Sequence, residues 1–260
     1  MKAMHTAATG MDAQVVRIDT IANNLANANT TGFKESQVDF ADLMYEAVRQ
    51  PGGSRTQDTR MPTGLEVGSG VSPVSTLKVF TPGAVRKTGG QLDMAISGQG
   101  FFQVEVPSGE VMYTRDGNFR ISADGEVVNS RGYPLYPSIS VPEDATSVAV
   151  GVDGTVSVAT PDGSRTTVGE IQLANFVNPA GLSSEGDNLF AETEASGAPT
   201  TGMPGREGLG EIRQGYLEES NVDVVSELVD LISAQRTYEL NSKVVKAGDR
   251  VLQATNYLAR

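Results

Sequence analysis

Both ends of the chain repeat apolar residues at alternating steps of three and four, a spacing that places side chains in one row along an α-helix. The first repeat predicts a helix over residues 3–27, ended by Asn27 and Gly32, since Asn and Gly adopt the left-handed conformation that stops a helix. Gly10 falls outside the predicted row. The row consists of Met4, Ala8, Met11, Val15, Ile18, Ala22 and Leu25.

A second repeat runs towards Leu258, and no Pro interrupts it. Ser220 and Asp223 resemble a capping box, which predicts that the helix starts there. Such a helix would be about 57 Å long and would seldom pack wholly within one small domain. We therefore predict that the two terminal rows pair with each other or with neighbouring subunits. The second row consists of Val225, Leu228, Ile232, Leu240, Val244, Ala247, Val251, Ala254 and Leu258.

Between the ends the apolar period changes to two, which is typical of β-strands. A hairpin is predicted from Phe101 to Thr114, with its turn at Pro107–Glu110. Further strand candidates are 118–121, 147–152, 155–159 and 166–177, and Asp-Gly turns are predicted at 116, 124, 153 and 162. The predicted fold class is α+β, with terminal helices forming a coiled-coil assembly layer and a central antiparallel β region.

The stretch after the first helix predicts a second, short helix over Ser36–Val48, with Phe40, Leu43, Met44 and Val48 on one face. Pro51 would stop it, and residues 51–64 are polar and basic, as expected of a linker or of a loop that orders only against a partner. Four segments are thus predicted: 1–35 (assembly helix), 36–69 (short helix and loop), 70–212 (β region) and 213–260 (assembly helix).

The composition excludes much enzyme chemistry. The chain has no Cys and a single His, His5, so thiolate nucleophiles, cysteine-ligated metals and sites with two imidazoles are excluded. The net charge is −12, and its acidic excess lies in residues 91–220, so nucleic-acid binding is not expected. No apolar run approaches the roughly 18 residues of a membrane span, and no conventional cleavable signal peptide is expected. We predict no enzyme activity, cofactor or metal.

Two further patterns have a simple structural reading. Gly181–Gly186 is one residue too long for a nucleophile elbow, and the Gly-x-Gly pairs lack the third Gly of a dinucleotide site. An Asn-rich patch at Asn23, Asn24, Asn27 and Asn29 is explained by helix-end chemistry, although an Asn inside a helical seam can also fix its register. Both explanations of the Asn-rich patch, helix-end chemistry and selection of the register, stay open at this point.

Several blocks, in order along the chain, resemble the bacterial flagellar rod and hook proteins. The N-terminal block includes Asn23, Asn24, Leu25, Asn27, Gly32 and Phe33. The central blocks include Gly100 and Phe101, residues 113–119 and 196–199. The C-terminal blocks include residues 214–222 and Asn241, Ser242 and Lys243. The match covers almost the whole chain.

This resemblance implies a structural subunit of the flagellar rod, the drive shaft of the basal body that crosses the periplasm. The chain would polymerise as a helical tube and transmit torque from motor to hook. The terminal helices would form the inner layer and the β region would face outward. The implied partners are further copies of the chain, proximal rod proteins, hook protein, the P and L ring proteins and the flagellar type III export apparatus.

Within the family, the length of the chain and its segment 46–64 resemble those of the protein of the distal rod. The resemblance implies that this segment is an insertion that helps to make the shaft straight and stiff. One alternative is another short rod protein, from the proximal rod. A second is a non-flagellar β domain, enzymatic or carbohydrate-binding, that carries oligomerisation helices. The scarcity of aromatic residues, 6% with no Trp, argues against a sugar-stacking surface. A third alternative is an adhesin or secreted effector.

Overall fold

The computed structural model describes residues 2–49, 54–56, 59–60 and 64–258. Parts of the predicted linker 51–64 and the side chain of Leu258 lie outside the described residues. Chain contacts divide the protein into two compact units, one of residues 1–25, 36–77 and 224–260 and the other of residues 26–35 and 78–223. We call them the helical unit and the β unit.

The helical unit consists of two long helices and a β-ribbon. Both helices are confirmed. The first, α1 (Lys2–Ala26), ends within the Asn-rich patch, after Asn24 and before Asn27, and Gly32 beyond it has a φ of +69°. The second helix begins at Val224, directly after Asp223, and the Ser220 hydroxyl accepts a hydrogen bond from the amide of Val222, while the capping box itself stays a prediction. The elements are α1 (Lys2–Ala26), β1 (Ser36–Asp42), β2 (Tyr45–Arg49), β3 (Ser54–Thr56), β4 (Thr59–Arg60), β5 (Leu65–Gly68), β6 (Val71–Lys78) and α2 (Val224–Leu258).

The predicted short helix over Ser36–Val48 is wrong, because this stretch forms the strands β1 and β2. Strand β1 pairs with β6, β2 pairs antiparallel with β5, and β3 pairs antiparallel with β4. The described parts of residues 36–78 therefore form a β-ribbon, in which residues of β2 pair with residues more than 15 positions away. The helix-like spacing of Phe40, Leu43 and Met44 could not reveal that distant partner.

The β unit is built of short strands, most of them antiparallel pairs. The strands are β7 (Val85–Lys87), β8 (Met94–Ser97), β9 (Phe101–Glu105), β10 (Val111–Thr114), β11 (Phe119–Ile121), β12 (Val127–Asn129), β13 (Ser147–Val150), β14 (Thr155–Ala159), β15 (Arg165–Glu170), β16 (Leu173–Asn175), β17 (Ser183–Gly186), β18 (Leu189–Ala191), β19 (Thr200–Gly202), β20 (Glu211–Gln214) and β21 (Tyr216–Glu218). The largest sheet has six strands in the order β17-β18-β10-β9-β16-β19, and β13-β14-β15 form a three-stranded sheet.

The predicted hairpin is confirmed, since β9 and β10 pair with Val111 opposite Glu105 and Thr114 opposite Phe102. The Asp-Gly turns at 124, 153 and 162 connect paired strands, and their glycines have φ between +78° and +85°. The fourth, at Asp116-Gly117, is not a hairpin turn. A Cβ on Gly117 would lie 1.6 Å from the Met94 carbonyl oxygen, so this glycine allows a close approach of backbone. The candidate 166–177 divides into β15 and β16.

Two apolar clusters form the core of the β unit. The larger contains Phe102, Val104, Leu135 and Leu173, each at most 1% exposed. The smaller is aromatic, with Phe101 packing edge-on against Phe80, Phe176 and Phe190 at centroid distances of 5.2–6.1 Å. The α+β class with terminal helices and a central antiparallel β region is thus confirmed, while the division into four segments stays a prediction.

We expect Phe102→Ala to lower the free energy of unfolding of the β unit by about 3–5 kcal/mol, because the ring is fully buried and its removal leaves a cavity. Urea unfolding of the full chain, followed by tyrosine fluorescence, measures this loss. Val177→Ala is the control, since Val177 is 93% exposed and its truncation should change stability by less than about 0.5 kcal/mol. Equal losses in the two variants would contradict the assignment of the core.

Candidate assembly surfaces

The described contacts between α1 and α2 show that the two helices run antiparallel. A Cβ on Gly248 would meet Met4, and one on Gly10 would meet the side chain of Asn241. Arg17 donates to Asp230 at 3.2 Å. The amide of Asn24 donates to Glu227 at 2.9 Å. Gly10 therefore faces α2, although it lies outside the predicted apolar row. The residues of α1 that contact α2 thus form a different row from the predicted one.

The row of α2 that faces α1 mixes aliphatic residues with small and polar ones. Its buried or half-buried members recur at steps of three and four, except for a step of seven across the exposed Tyr238, and they are Glu227, Leu231, Ala234, Asn241, Val245, Gly248 and Leu252. The corresponding residues of α1 include Ala7, Gly10, Arg17, Ile21 and Asn24. A heptad row does hold the two helices together, but it is not the row that the apolar spacing singled out.

The apolar row predicted on α2 is exposed. Val225 is 70% exposed, Leu240 60% and Val251 65%. Leu228, Ile232, Val244 and Ala247 are exposed as well. In a single chain these aliphatic side chains are therefore not covered, which is what a surface reserved for another molecule requires.

These exposed residues fall on two sides of the helix. At 100° per residue, Val225, Leu228 and Ile232 lie about 100° to one side of the contact row. Leu240, Val244 and Val251 lie about 100° to the other side. The aliphatic surface of α2 therefore passes from one flank to the other along the helix, with polar residues such as Gln253 on the opposite flank of the second half.

The row predicted on α1 is partly covered. Met4, Ala8, Met11, Ile18 and Leu25 are half-buried, whereas Val15 and Ala22 are exposed. Met4 is the one member with a described contact to α2. The predicted subunit-interface residues of both helices thus stay a prediction about contacts with other molecules.

Asn24 and Glu227 form a buried polar pair within the helical unit. Asn24 is 1% exposed and Glu227 7%. Asn24 also bonds the backbone of Ser36 twice, accepting from its amide and donating to its carbonyl, each at 2.9 Å. Burial raises the pKa of the Glu227 carboxyl, and the nearby carboxylate of Asp230 adds to the rise, while Asn24 and Arg17 oppose it. Of the two explanations for the Asn-rich patch, Asn24 therefore fits the seam and not simple helix-end chemistry.

The ribbon carries a second set of exposed apolar side chains. Met44 is 86% exposed, Tyr45 57% and Leu65 54%. Tyr45 lies opposite Gly68, and its ring covers this glycine of the partner strand so closely that a Cβ there would lie 3.3 Å from Cε1 of Tyr45. A two-stranded ribbon is at best marginally stable alone, so these residues are suited to contacts with a further molecule.

The segment that follows α1 is anchored in the β unit by a buried carboxylate. Glu218 binds the ammonium of Lys34 at 2.5 Å and the guanidinium of Arg115 at 3.3 Å. The side chains of the three residues are at most 3% exposed. Burial lowers the pKa of both Lys34 and Arg115, and Glu218 opposes this shift. Lys34 also donates to the Thr81 carbonyl.

Further contacts fasten the same segment. Gly32 lies so close to Arg115 that a Cβ would be 2.6 Å from its carbonyl carbon, and the Gly32 amide donates to the Glu218 carbonyl at 2.8 Å. Phe33 is buried, with the ammonium of Lys78 4.9 Å from its ring centroid. Asn221 accepts from the amide of Glu35 and donates to the Val79 carbonyl. The motif residues Gly32 and Phe33 thus hold structure and do not form a reactive site.

The other motif residues have equally structural positions. Gly100 has a φ of +128° and precedes Phe101 of the aromatic cluster. Asn27 accepts from the hydroxyl of Thr30. Asn241 faces Gly10, Ser242 is half-buried and Lys243 is exposed. Asn23 is exposed beside Asn24.

Sequence reasoning missed Arg115, Glu218, Asn221 and Glu227 as organising residues. Their side chains bond partners that lie 103 to 203 positions away in the chain. No local spacing in the sequence signals such pairs.

The β unit has a polar pocket of about 330 Å³, lined by residues that include Asn27, Thr114 and Asp116. Thr114 accepts from the Asp116 amide and Asp116 accepts from Asn118, so these groups bond within their own loops. Within the described residues, no cluster of three or more His, Cys, Asp or Glu side chains is placed to hold a metal ion. Neither described helix has an apolar stretch that could cross a bilayer.

Three family models match the chain. Residues 4–34 match "Flagella basal body rod protein", residues 95–158 match "Flagellar hook protein FlgE/F/G D1 domain", and residues 213–258 match "Flagellar basal body rod FlgEFG protein C-terminal".

Curated relatives match over almost their whole length. The flagellar basal-body rod protein FlgG of Buchnera aphidicola (subspecies Schizaphis graminum) is 46% identical over 251 residues, 96% of each chain. That of Caulobacter vibrioides is 46% identical over 261 residues, 99% of each chain, and that of Bacillus subtilis 35% identical over 266 residues, 100% of each. Among solved structures, the flagellar hook protein FlgE2 of Helicobacter pylori matches with a TM-score of 0.25 and 16% identity, over 71% of this chain and 43% of that one.

We expect Glu218→Gln to destabilise the full chain by about 3–5 kcal/mol, because it leaves the cations of Lys34 and Arg115 buried without a counter-charge. The neighbouring Glu219 provides a matched control, since it pairs with Arg86 at the surface, where ion pairs contribute little. Glu219→Gln should change the free energy of urea unfolding by less than about 1 kcal/mol. Similar losses in unfolding free energy from the two substitutions would show that the buried ion cluster stabilises the fold no more than a surface ion pair does.

We expect the helical unit to lose stability as the pH rises from 4.5, the ordinary pKa of Glu227, through its raised folded value. A raised pKa means that the folded state holds this proton more tightly than the unfolded state, so deprotonation favours unfolding. The glutamine of Glu227→Gln does not titrate, so this variant lacks the pH dependence that Glu227 causes. The unfolding free energies of both proteins are measured by circular dichroism at several pH values. Wild type should lose stability relative to Glu227→Gln as the pH rises towards neutral. A difference that is constant with pH would refute this expectation.

Proposed function

The chain belongs to the FlgG family of flagellar basal-body rod proteins, and from this premise we propose how its surfaces build the rod. It is a structural subunit of the flagellar basal-body rod and not an enzyme. It assembles with other flagellar components. The near full-length matches exclude the alternative of a non-flagellar β domain.

The observation that supports the proposal most directly is the exposed aliphatic surface of α2 on both flanks of its contact with α1. Because each flank is apolar over a different part of the helix, one helix pair can contact two neighbouring copies. Repetition of such a contact generates a continuous layer of helices. Burial of each large aliphatic side chain in that layer contributes about 1.5–3 kcal/mol.

We assign the interface to the two predicted rows, from Met4 to Leu25 on α1 and from Val225 to Leu258 on α2. Torque passes between subunits through these repeated helix contacts. The exposed Met44, Tyr45 and Leu65 of the ribbon add contacts to further copies and stiffen the shaft. The segment 46–64 and the FlgG relatives support a position in the distal rod.

The neighbours in this proposal are the proximal rod proteins on one side and hook protein on the other, with the P and L ring proteins around the shaft. The flagellar type III export apparatus delivers the unfolded chain. The acidic surface of the β unit, which carries most of the net charge of −12, suits a solvated outer face.

We expect Val251→Asp to abolish rod assembly and leave the subunit folded. Val251 is 65% exposed in the single chain, so the charge costs little there, whereas burial between copies would desolvate it. Basal bodies from cells that produce only this variant, counted by electron microscopy, measure assembly, and circular dichroism of the purified chain measures folding. Val251 is a cleaner choice than Ile18, which is already half-buried within the chain.

Gln253→Asp is the control, because Gln253 is exposed on the polar flank of the same part of α2 and receives the same charge change. Its repulsion with Asp249, four residues away, costs only about 0.2–0.5 kcal/mol. Normal rods are expected from this variant. If Val251→Asp also built normal rods, the assignment of the apolar row of α2 to the subunit interface would be wrong.

A further inference from the structure

The surface of α2 that faces α1 includes aliphatic residues such as Leu231, Val245 and Leu252, and because hydrophobic contacts are non-directional they fit more than one alignment. The alignment of the two helices therefore depends on a few specific contacts. We propose that two glycine notches and the buried Asn24–Glu227 pair fix the antiparallel register of the two helices. In one notch Gly10 of α1 faces the side chain of Asn241, and in the other Gly248 of α2 faces the side chain of Met4. The consequence for assembly rests on the proposed function, because the register sets the stagger at which the apolar rows meet other copies.

The notches are complementary in shape and lie in the first half of α1. A Cβ on Gly10 would lie 2.8 Å from the side-chain amide nitrogen, Nδ2, of Asn241. Closer to the start of α1, a Cβ on Gly248 would lie 2.7 Å from Cγ of Met4. Each helix thus places a larger side chain where the other has none, and a Cβ at either glycine would force the side chain of Asn241 or Met4 to move.

The polar pair completes the alignment at the opposite end of α1. Asn24 is held by its two bonds to the Ser36 backbone, so its amide can reach α2 in only one direction. Glu227 accepts from it at 2.9 Å, and both side chains are buried. A buried polar pair in a helical seam selects a register because every other register leaves one group without its partner.

A slip of one heptad shows what these contacts exclude. Moving α2 by seven residues in one direction would bring Met4 against Asn241 in place of Gly248. Moving it in the other direction would bring Asn24 against Ala234. In both cases Asn24 loses Glu227 as its acceptor. Such a slip would displace the apolar row of α2 by about 10 Å relative to α1.

Arg17 and Asp230 do not belong to this set. Their side chains are 40% and 54% exposed, and they are 3.2 Å apart. An exposed ion pair with long side chains tolerates several arrangements and contributes little. It serves as the comparison for the buried pair.

The chain lacks Cys, so introduced pairs of cysteines can report the register in the full-length monomer. Ala7→Cys with Val245→Cys reports the native register, since Met4 lies at Gly248 and Gly10 at Asn241. Ala7→Cys with Tyr238→Cys, or with Leu252→Cys, reports a slip of one heptad in either direction. The measured quantity is the fraction of disulfide formed by each pair in a redox buffer, at a dilution where the chain is monomeric.

We expect the native pair to form at least about tenfold more disulfide than either slipped pair. Gly10→Ala and Gly248→Ala should each lower the native signal about fivefold or more, because the added Cβ overpacks the notch. This expectation is opposite to the usual effect of Gly→Ala within a helix, which favours the helix. Gln253→Ala, on the outer flank, should leave the pattern unchanged.

The polar pair is tested in the same background. Asn24→Leu should lower the native signal or raise a slipped one, whereas Glu227→Gln retains an acceptor for Asn24 and should keep the native pattern. Asp230→Asn should have no effect. A native pattern in Gly10→Ala, Gly248→Ala and Asn24→Leu alike would overturn the proposal.

Rod assembly by the same variants separates the two claims. A variant with native register that fails to assemble points to the proposed interface and leaves the register assignment intact. A variant with a slipped register that still builds normal rods would overturn the link between register and stagger.

Discussion

The arrangement of the helical unit follows from how α1 and α2 divide their side chains. The residues between the helices combine glycine, alanine and polar groups, whose contacts are specific, with aliphatic residues such as Leu231 and Leu252. Many other large aliphatic residues remain outside, among them Val225, Leu240 and Val251. A chain built in this way is completed by association, because hydrophobic burial, the main favourable term in folding, is still available at its surface. This fits a subunit of the flagellar rod, which functions only as a polymer.

The β unit depends on a different constraint, a single carboxylate between two buried cations. Glu218 joins Lys34, from the segment after α1, to Arg115 at the end of β10. Removal of one member of such a cluster costs far more than the cluster as a whole contributes, since it leaves charge in a medium that solvates it poorly. The family motifs around Gly32, Arg115 and Glu218 therefore meet at one place, although 186 residues separate the first from the last. Their role is to position the chain and not to perform chemistry.

The ribbon shows how a shaft protein gains surface without enlarging its core. Strands β1, β2, β5 and β6 pair as β1 with β6 and β2 with β5, and the side chains of these four strands are largely exposed. A ribbon of this kind gains stability from neighbours, and its rows of aromatic and aliphatic residues are available to them. Together with the helix pair, it gives each subunit two separate apolar surfaces, which suits a stiff polymer better than one.

The sequence by itself determined the two terminal helices, the hairpin of β9 and β10, most of the tight turns and, through its motifs, the family. These features depend on residues close together in the chain, where periodicity and turn chemistry act directly. It did not determine the strand pairing of residues 36–48, the row through which α1 meets α2, or the ion cluster at Glu218. Only the tertiary structure decided these, because a heptad pattern places residues in a row without naming its partner. A glycine notch or a buried carboxylate likewise acquires its meaning only from a distant segment that packs against it.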